Sequence, residues 1–209
     1  MRILIVDDHA VVRRGLREIL VEEFPGVHVG EAASVAEAVG MTRAGRWDLV
    51  ILDLNLPGGS GLDALKEIKQ LQPRLPVLVL SIYPEDQYAV RVLEAGASGY
   101  LTKEMAPAGL VEAARKSIAG GRYVSPALAE RLALRLAPGR RDAPHETLSD
   151  REFQVLRMIA SGRTVGQIAQ ELGLSVKTVS TYRTRLPDKM GLKNNAELTR
   201  YAFANRVIT

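Results

Sequence analysis

Short apolar runs alternate with amphipathic stretches along the first half of the chain. Compact runs occupy Arg2–Val6, 46–53 and 75–81, and weaker ones occupy 27–31 and 99–101. Continuously apolar runs are typical of strands that are covered on both faces. Between these runs, apolar residues recur at the 3.6-residue spacing of amphipathic helices. The alternation predicts an α/β domain built on a doubly wound, five-stranded parallel sheet.

The strand pattern ends near Ser125, and only helical patterns follow. Ser125 is a favourable N-cap and Pro126 suits a first helical position, which predicts a helix over 126–136. The stretch 137–146 is rich in proline, glycine and charge and predicts a flexible linker. Further helical patterns lie at 149–160, 165–172, 176–189 and 196–205. We therefore predict an α/β domain over 1–122, a helix and flexible linker over 123–146, and an all-α four-helix domain over 147–209.

Composition narrows the class of protein. Hydrophobic residues make up 46% of the chain and charged residues 25%, as in ordinary globular proteins. The lack of cysteine excludes disulfides, cysteine nucleophiles and cysteine-ligated metals, and His9, His28 and His145 show no metal-ligand spacing. The N-terminal residues do not form a signal-peptide apolar region, and no apolar run approaches the ~18 residues of a membrane helix. We expect a soluble, cytoplasmic protein that makes no membrane contact.

Charge is distributed unevenly between the two halves. Residues 1–122 hold 14 basic and 16 acidic side chains, whereas residues 123–209 hold 14 basic and 8 acidic ones. A basic domain attracts polyanions, most often nucleic acid. A basic, solvated surface without a partner is the alternative that charge alone leaves open.

Polar residues gather where the predicted strands end. Asp7 and Asp8 follow the first strand, Asp53 ends the third, Ser81 ends the fourth, and Lys103 lies just past the fifth. Ligands of doubly wound sheets bind beyond the carboxyl ends of the strands. Clustered carboxylates near a phosphate suit Mg²⁺, and a carboxylate beside Mg²⁺ can attack a phosphoryl group. The alternative, that each acid only caps the following helix, is weak for five residues at corresponding strand ends.

Two helices in the basic half predict a helix–turn–helix motif. The first covers 164–173, and the second starts after Ser175 and enters the major groove in proteins of this kind. We expect its core face to hold Val176, Val179, Tyr182 or Arg183, Leu186 and Met190. The opposite face carries polar and mainly cationic residues, as groove reading requires: Lys177, Ser180, Thr181, Thr184, Arg185 and Asp188. A small helical bundle with a solvated charged face is the alternative.

Several short motifs of the first domain match a known family. They are the acid pair in IVDDH, Asp53 in LVILDLNLPG, Ser81 in VLVLS, and Tyr100 and Lys103 in GYLTK. In this combination, residues 1–122 resemble the flavodoxin-like receiver domain of two-component response regulators. The resemblance implies that Asp53 is the phosphoacceptor. It also implies that Mg²⁺ is bound by Asp7, Asp8, Asp53 and the backbone carbonyl of Asn55.

The same resemblance implies a switch. Lys103 pairs with the phosphate, Ser81 moves to hydrogen-bond it, and Tyr100 follows into the space that is vacated. A phosphoryl group adds about −1.5 to −2 charges and three strong acceptors, which can bias a two-state loop. Without the resemblance, Tyr100 is better interpreted as an ordinary, half-buried strand aromatic.

The basic half also matches a family. The segments LSDREFQVLRMIASG, IAQELGLSVKTVSTYRTRL and KMGLKNNAEL closely resemble the LuxR-type helix–turn–helix domain. The whole chain except the linker therefore resembles a NarL/FixJ-type response regulator. The resemblance implies that the base-facing residues are Ser180, Thr181 and Thr184. It implies that the mainly phosphate-binding residues are Lys177, Thr178, Arg183 and Arg185.

The resemblance further implies partners. A sensor histidine kinase donates the phosphoryl group, and the chain forms a homodimer on phosphorylation or on DNA binding, with the last helix, 195–206, as its contact. The dimer reads promoter DNA with half-sites about 10 base pairs apart. RNA polymerase is a further candidate partner.

Pro187 departs from the family pattern. It lies inside the predicted recognition helix, lacks the N–H that would bond the carbonyl of Arg183, and costs about 3 kcal/mol in a helix interior. We expect the helix to kink or loosen over 183–189.

Two other functions remain as alternatives. A Mg²⁺-dependent phosphohydrolase with an aspartyl nucleophile needs a general acid two residues later, where this chain has Asn55, a poor proton donor. The second alternative is a DNA-binding regulator whose receiver is never phosphorylated. The leading hypothesis is a phosphorylation-controlled transcription factor and not an enzyme.

Overall fold

The computed structural model describes residues 1–56, 59–135 and 143–208. The chain divides into two compact units, Met1–Leu132 and Ala133–Thr209. No helix in the described ranges is long and apolar enough to cross a membrane.

The described residues of the first unit form seven strands and five helices, followed by the start of a sixth helix. The strands are β1 (Arg2–Val6), β2 (His28–Ala32), β3 (Leu49–Asp53), β4 (Asn55–Leu56), β5 (Gly59–Ser60), β6 (Val77–Ser81) and β7 (Gly99–Thr102). The helices are α1 (Ala10–Glu23), α2 (Val35–Ala44), α3 (Gly61–Leu71), α4 (Glu85–Glu94), α5 (Ala106–Ile118) and α6 (Pro126–Arg135).

Five parallel strands form the central sheet, in the order β2-β1-β3-β6-β7. Every residue of β3 and β6 is buried, as the continuously apolar runs predicted. One face of the sheet packs on α1 and α5 through a cluster that includes Ile5, Leu20 and Leu110. The prediction of a doubly wound, five-stranded parallel sheet is confirmed.

A short hairpin between β3 and α3 was not predicted. Asn55 pairs with Ser60 and Leu56 with Gly59 in an antiparallel arrangement. Glycines at 58, 59 and 61 favour a flexible loop beside Asp53, and residues 57 and 58 lie outside the described residues. Ser60 is instead a buried strand residue whose hydroxyl accepts a hydrogen bond from the Leu62 N–H and caps α3.

The second unit is helical. After α6 come a short 3₁₀ helix (Pro144–Thr147) and four α-helices: α7 (Asp150–Ala160), α8 (Val165–Leu172), α9 (Val176–Lys189) and α10 (Asn195–Ala204). Ser175 accepts a hydrogen bond from the Thr178 N–H and starts α9, as predicted. The predicted end of α6 at Leu136 and most of the predicted linker, 137–142, lie outside the described residues.

The end of the predicted linker forms regular structure. Glu146 accepts a hydrogen bond from the Ala143 N–H, and His145 Nδ1 lies 2.8 Å from the Tyr201 hydroxyl in α10. The His145–Tyr201 contact holds the segment against α10, and the Ala143–Glu146 hydrogen bond closes the segment's own turn.

The expected loosening at Pro187 is not observed. Helix α9 is α-helical without interruption through 183–189, and Pro187 is buried. Pro187 lies in the last turn, where its carbonyl accepts hydrogen bonds from the N–H groups of Met190 and Leu192 at 3.1 and 2.8 Å. This closure of the helix end and the burial of Leu186 and Met190 hold the turn in spite of the missing N–H.

One residue of the predicted α9 core face is exposed. Val179, Leu186 and Met190 are buried as expected, but Val176 retains 57% of its surface. Val176 is the first residue of α9, immediately after the N-cap Ser175.

The N-terminus of α7 carries a charged cap that is sensitive to pH. Glu152 accepts hydrogen bonds from the Ser149 N–H at 2.8 Å and from Lys189 Nζ at 2.6 Å. Burial alone would raise the pKa of Glu152, but the hydrogen bonds from Lys189 and Ser149 outweigh it and lower the pKa.

We predict that Glu152→Gln lowers the unfolding free energy of the helical domain by about 0.5–1 kcal/mol at neutral pH. A lowered pKa stabilises the folded state above the ordinary value of 4.5, and this stabilisation is lost as the pH falls through the folded-state pKa. The difference between variant and wild type therefore shrinks below pH 4.5. Calorimetry of the full chain from neutral pH to about pH 3 measures this difference in unfolding free energy. Glu171→Gln, at an exposed acid of α8, is the control, and a difference independent of pH would contradict the prediction.

Candidate functional site

Acidic side chains meet at the carboxyl ends of β1 and β3. Asp7 follows β1 directly and Asp53 ends β3, and only 1% of each residue is exposed. Asp8 lies on the rim, with 36% of its side chain exposed. The two strands are neighbours in the parallel sheet, so their ends place these carboxylates together. The clustering predicted from the sequence is therefore present.

Lys103 joins the two buried carboxylates. Its Nζ lies 2.7 Å from Asp53 Oδ2, as a hydrogen bond, and 2.7 Å from Asp7 Oδ2, as an ion pair. The backbone N–H of Lys103 donates to the Ser81 carbonyl at 2.8 Å, which fixes the residue beyond the end of β7. The lysine neutralises part of the charge that two buried acids would otherwise leave uncompensated.

The environment shifts the pKa values of both partners. Burial raises the pKa of Asp53, and the charge and hydrogen bond of Lys103 oppose this rise without cancelling it. Burial lowers the pKa of Lys103, but hydrogen bonds to Asp53 and Asp7 outweigh it and raise the pKa above its ordinary value. Lys103 is therefore positively charged at neutral pH, and its charge favours the ionised form of Asp53.

The acidic cluster is compatible with Mg²⁺. Asp7, Asp8, His9 and Asp53 each offer one ligand atom, and these atoms lie within 4.8 Å of one another. Carboxylate oxygens are the ligands that Mg²⁺ prefers. Asn55 is adjacent to the cluster, since its backbone N–H donates to Asp53 Oδ1 at 3.2 Å.

Sequence reasoning missed two residues that support the acid pair. His9 Nδ1 lies 2.7 Å from Asp8 Oδ1 and 3.2 Å from Asp7 Oδ1, although the spacing of the histidines suggested no such role. Arg13 donates from a terminal guanidinium nitrogen to the Asp7 carbonyl at 2.6 Å and pairs with Glu31 at 3.0 Å. The position of His9 directly after Asp7 and Asp8 is the sequence feature that could have indicated its role.

Gly61 is a third residue whose role was missed. A Cβ atom at this position would lie 2.3 Å from the Asp53 carbonyl oxygen and 2.5 Å from Leu54 Cα. The Gly61 N–H donates to the Leu54 carbonyl at 3.0 Å. Glycine is therefore required here because α3 begins in direct contact with the backbone of Asp53.

Ser81 and Tyr100 lie on the two strands beyond β3. Ser81 is fully buried and its hydroxyl accepts a hydrogen bond from the Tyr83 N–H at 3.2 Å. Tyr100 is also fully buried, not half-buried, and its hydroxyl donates to the Tyr83 carbonyl at 2.8 Å. Tyr83 therefore contacts both predicted switch residues through its backbone, a connection that the sequence did not indicate.

A second candidate site lies on the exposed face of α9. All seven predicted DNA-facing residues are exposed: Lys177, Thr178, Ser180, Thr181, Arg183, Thr184 and Arg185. Beside this face lies an open groove of about 550 Å³, lined in part by Arg183, Lys193 and Asn194. Lys193 was not predicted as a site residue, although it lies in a short basic and amide-rich stretch, KNN.

Removal of the Lys103 charge should destabilise the first unit. We predict that Lys103→Met lowers the unfolding free energy by about 3 kcal/mol at high pH, because two buried carboxylates lose their common cation. The loss of unfolding free energy should be smaller at about pH 5 than at about pH 8, because at the lower pH one of the two carboxyls takes up a proton.

Urea unfolding of the full chain in EDTA measures this difference. Addition of Asp53→Asn to Lys103→Met should recover part of the lost unfolding free energy, since it removes one of the two buried negative charges. Lys116→Met, at an exposed lysine of α5, is the matched control. If Lys103→Met has the same unfolding free energy as wild type at about pH 8, the prediction is contradicted.

Comparisons with known proteins give matches over both units. Residues 3–115 match the family model of the response regulator receiver domain, and residues 146–202 match the luxR family of bacterial regulatory proteins. The chain is 38% identical over 205 residues to the response regulator UvrY of Escherichia coli O6:H1, covering 97% of this chain and 94% of the relative. It is 36% identical over 209 residues to the response regulator GacA of Pseudomonas aeruginosa, covering 100% and 98%.

Solved structures also match almost the whole chain. RcsB from Salmonella enterica serovar Typhimurium, bound to promoter rprA in the presence of the phosphomimetic BeF₃⁻, is 29% identical with a TM-score of 0.67. That match covers 98% of this chain and 99% of RcsB. A structure of two RcsB dimers bound to two parallel DNAs matches with 29% identity, a TM-score of 0.60 and coverage of 100% and 99%.

Proposed function

Because this chain belongs to the response regulators that combine a receiver domain with a LuxR-type DNA-binding domain, we propose that phosphorylation of Asp53 controls its binding to promoter DNA. The observation that carries this proposal is the buried Asp53 carboxylate, bonded to Lys103 and placed beside Asp7 at the end of β3. A sensor histidine kinase is the proposed phosphoryl donor.

The phosphoryl transfer follows from the arrangement of charges. A carboxylate oxygen of Asp53 attacks the phosphorus atom, a P–O bond forms, the P–N bond to the kinase histidine breaks, and the histidine nitrogen leaves with the electron pair. Lys103 is already within 2.7 Å of Asp53 and can remain paired with the new phosphoryl oxygens. Bound Mg²⁺ would neutralise developing negative charge, with Asp7, Asp8, Asp53 and the Asn55 carbonyl as its proposed protein ligands.

The proposed switch begins at Ser81. Its hydroxyl now accepts from the Tyr83 N–H, and a phosphoryl group on Asp53 offers it a stronger, charged acceptor. When Ser81 turns towards the phosphoryl group, Tyr83 loses one hydrogen bond, while its carbonyl still accepts from Tyr100. The ends of β6 and β7 would then change together.

The proposed DNA interface is the exposed face of α9. Lys177, Arg183 and Arg185 supply positive charge, and Ser180, Thr181 and Thr184 face the bases. We propose that two copies bind two half-sites through this helix, with α10 as their contact, and that RNA polymerase is a further candidate partner. Binding to promoter DNA implies action in the cytoplasm.

We predict that acetyl phosphate with Mg²⁺ adds one phosphoryl group to the wild-type chain. Asp53→Asn should abolish the modification, because the amide is not a nucleophile, and EDTA should prevent it in wild type. Intact-protein mass spectrometry measures the product. Asp63→Asn is the matched control, since Asp63 is an exposed acid in the first turn of α3.

The same experiment tests the alternatives. Modification of Asp53→Asn to the wild-type level would contradict the assignment of the phosphoacceptor. Absence of any modification in wild type would favour a receiver that acts without phosphorylation. Steady release of phosphate from many phosphomonoesters, abolished in Asp53→Asn, would favour a phosphohydrolase, for which Asn55 offers no general acid.

We predict that Lys177→Ala and Arg185→Ala each weaken DNA binding at all sequences and each reduce the salt slope by about 1. Each substitution removes one cation that would neutralise a phosphate. The measurement is fluorescence anisotropy over a salt series, with a duplex that the wild-type chain enriches from a random library. Lys116→Ala in the first unit is the control, and unchanged slopes in both α9 variants would exclude this face as the interface.

A further inference from the structure

The chain that leads out of α5 packs along the edge of the receiver sheet. The Tyr123 N–H donates to the Ser98 carbonyl at 2.8 Å, and Tyr123 forms a parallel bridge with Gly99 at the start of β7. The approach is close, since a Cβ atom on Gly99 would lie 2.8 Å from the Tyr123 carbonyl oxygen. We call residues 123–129 the edge segment. Its first residue, Tyr123, therefore pairs directly with β7, the strand that carries Tyr100.

The edge segment is also bonded to α4. The Ser125 hydroxyl donates to Glu85 Oε2 at 2.5 Å, in the first turn of α4. Ser125 Oγ also accepts a hydrogen bond from the Leu128 N–H at 3.1 Å and so forms the N-cap of α6. Leu128 is only 1% exposed. One hydroxyl thus connects α4 to the start of the helix that leads towards the second unit.

Helix α4 is in turn connected to the proposed switch. Tyr83 contacts Ser81 through its N–H and Tyr100 through its carbonyl. Its ring stacks on Tyr88 of α4, with 4.9 Å between the ring centroids and 26° between the ring planes. Contacts therefore run without a gap from Ser81, through Tyr83 and the first turns of α4, to Glu85.

We propose that the Glu85–Ser125 hydrogen bond transmits the state of Ser81 to α6. This inference rests on the proposed function, since a phosphoryl group on Asp53 is what turns Ser81. When Tyr83 loses the Ser81 hydroxyl, the Tyr83–Tyr88 stack and the first turn of α4 shift, and Glu85 moves relative to β7. Ser125 must then either move with Glu85 or lose its hydrogen bond to Glu85.

Either response alters the start of α6. Ser125 is held on one side by Glu85 and on the other by its capping bond to Leu128, while Tyr123 stays bonded to Ser98. A hydroxyl that moves with Glu85 weakens the N-cap, and an N-cap governs how readily the first helical turn opens. Glu85 and Ser125 are thus positioning residues for regulation and do not touch the phosphoryl group.

Hydrogen exchange of the full chain tests this transmission. Exchange is measured by NMR in Mg²⁺, with and without beryllofluoride as the phosphoryl mimic. The Tyr83 amide reports on the switch, and the amides of Leu128 and Ala129 report on the edge segment at the start of α6. In wild type, we expect beryllofluoride to change exchange at both places by about fivefold or more.

The decisive variant is Glu85→Ala. It should keep the response of the Tyr83 amide and lose the response of the edge segment. Asp86→Ala is the matched control, because Asp86 is an exposed acid in the same turn of α4 and should leave both responses intact. Glu85→Gln keeps an acceptor oxygen and should behave as wild type. Ser125→Ala should behave as Glu85→Ala, and Ser125→Thr should restore the response.

The outcomes separate this inference from the proposed function. If beryllofluoride changes neither amide set in wild type, the proposed function fails, and the inference fails with it. If Tyr83 responds but the edge segment does not, the inference is overturned while the proposed function stands. A full edge-segment response in Glu85→Ala would overturn the inference in the same way. Unchanged exchange in the β3 amides shows that each variant is folded. If Glu85→Ala does not fold, the comparison of Ser125→Ala with Glu85→Gln tests the inference instead.

Discussion

The pairing of one lysine with two buried carboxylates is the interaction on which the receiver depends. Asp7 and Asp53 are nearly inaccessible to water, and in that environment two ionised acids repel strongly unless a cation lies between them. Lys103 reaches them from the far end of the sheet, since β6 separates β3 from β7. The contact therefore requires the strand order and the register of the whole sheet, and the site cannot form before the fold does.

The position of Lys103 also explains why a charge change at Asp53 cannot remain local. Its backbone is bonded to Ser81, and its chain continues from the strand that holds Tyr100. A phosphoryl group would change the charge that Lys103 balances and the acceptors available to Ser81 at the same time. Both effects act on the ends of β6 and β7, near the edge of the sheet where Tyr123 pairs with Gly99. An edge strand is suited to this use, because a shift there disturbs one neighbouring strand and not two.

Sequence pattern predicted the elements better than the contacts between them. Apolar runs buried on both faces revealed β3 and β6, and Ser125 and Ser175 revealed helix starts, because these signals are local. The roles of Gly61 and His9 could not be predicted in this way, since they arise only when α3 meets Asp53 and when the chain turns after Asp8. Pro187 was misjudged for a related reason. Its cost in an isolated helix is offset by a buried last turn and by hydrogen bonds to its carbonyl.

The hydroxyl groups on α9 constrain how this helix could read DNA. Thr181 donates to the Lys177 carbonyl at 3.0 Å and Thr184 to the Ser180 carbonyl at 3.1 Å, so both hydroxyl hydrogens are used within the helix. In the major groove, these threonines would then present acceptor oxygens and methyl groups. Adenine N6 and cytosine N4 offer the matching donors, and the thymine methyl offers the matching apolar contact. Donors for guanine would then come from the Ser180 hydroxyl or from the longer cations of the same face.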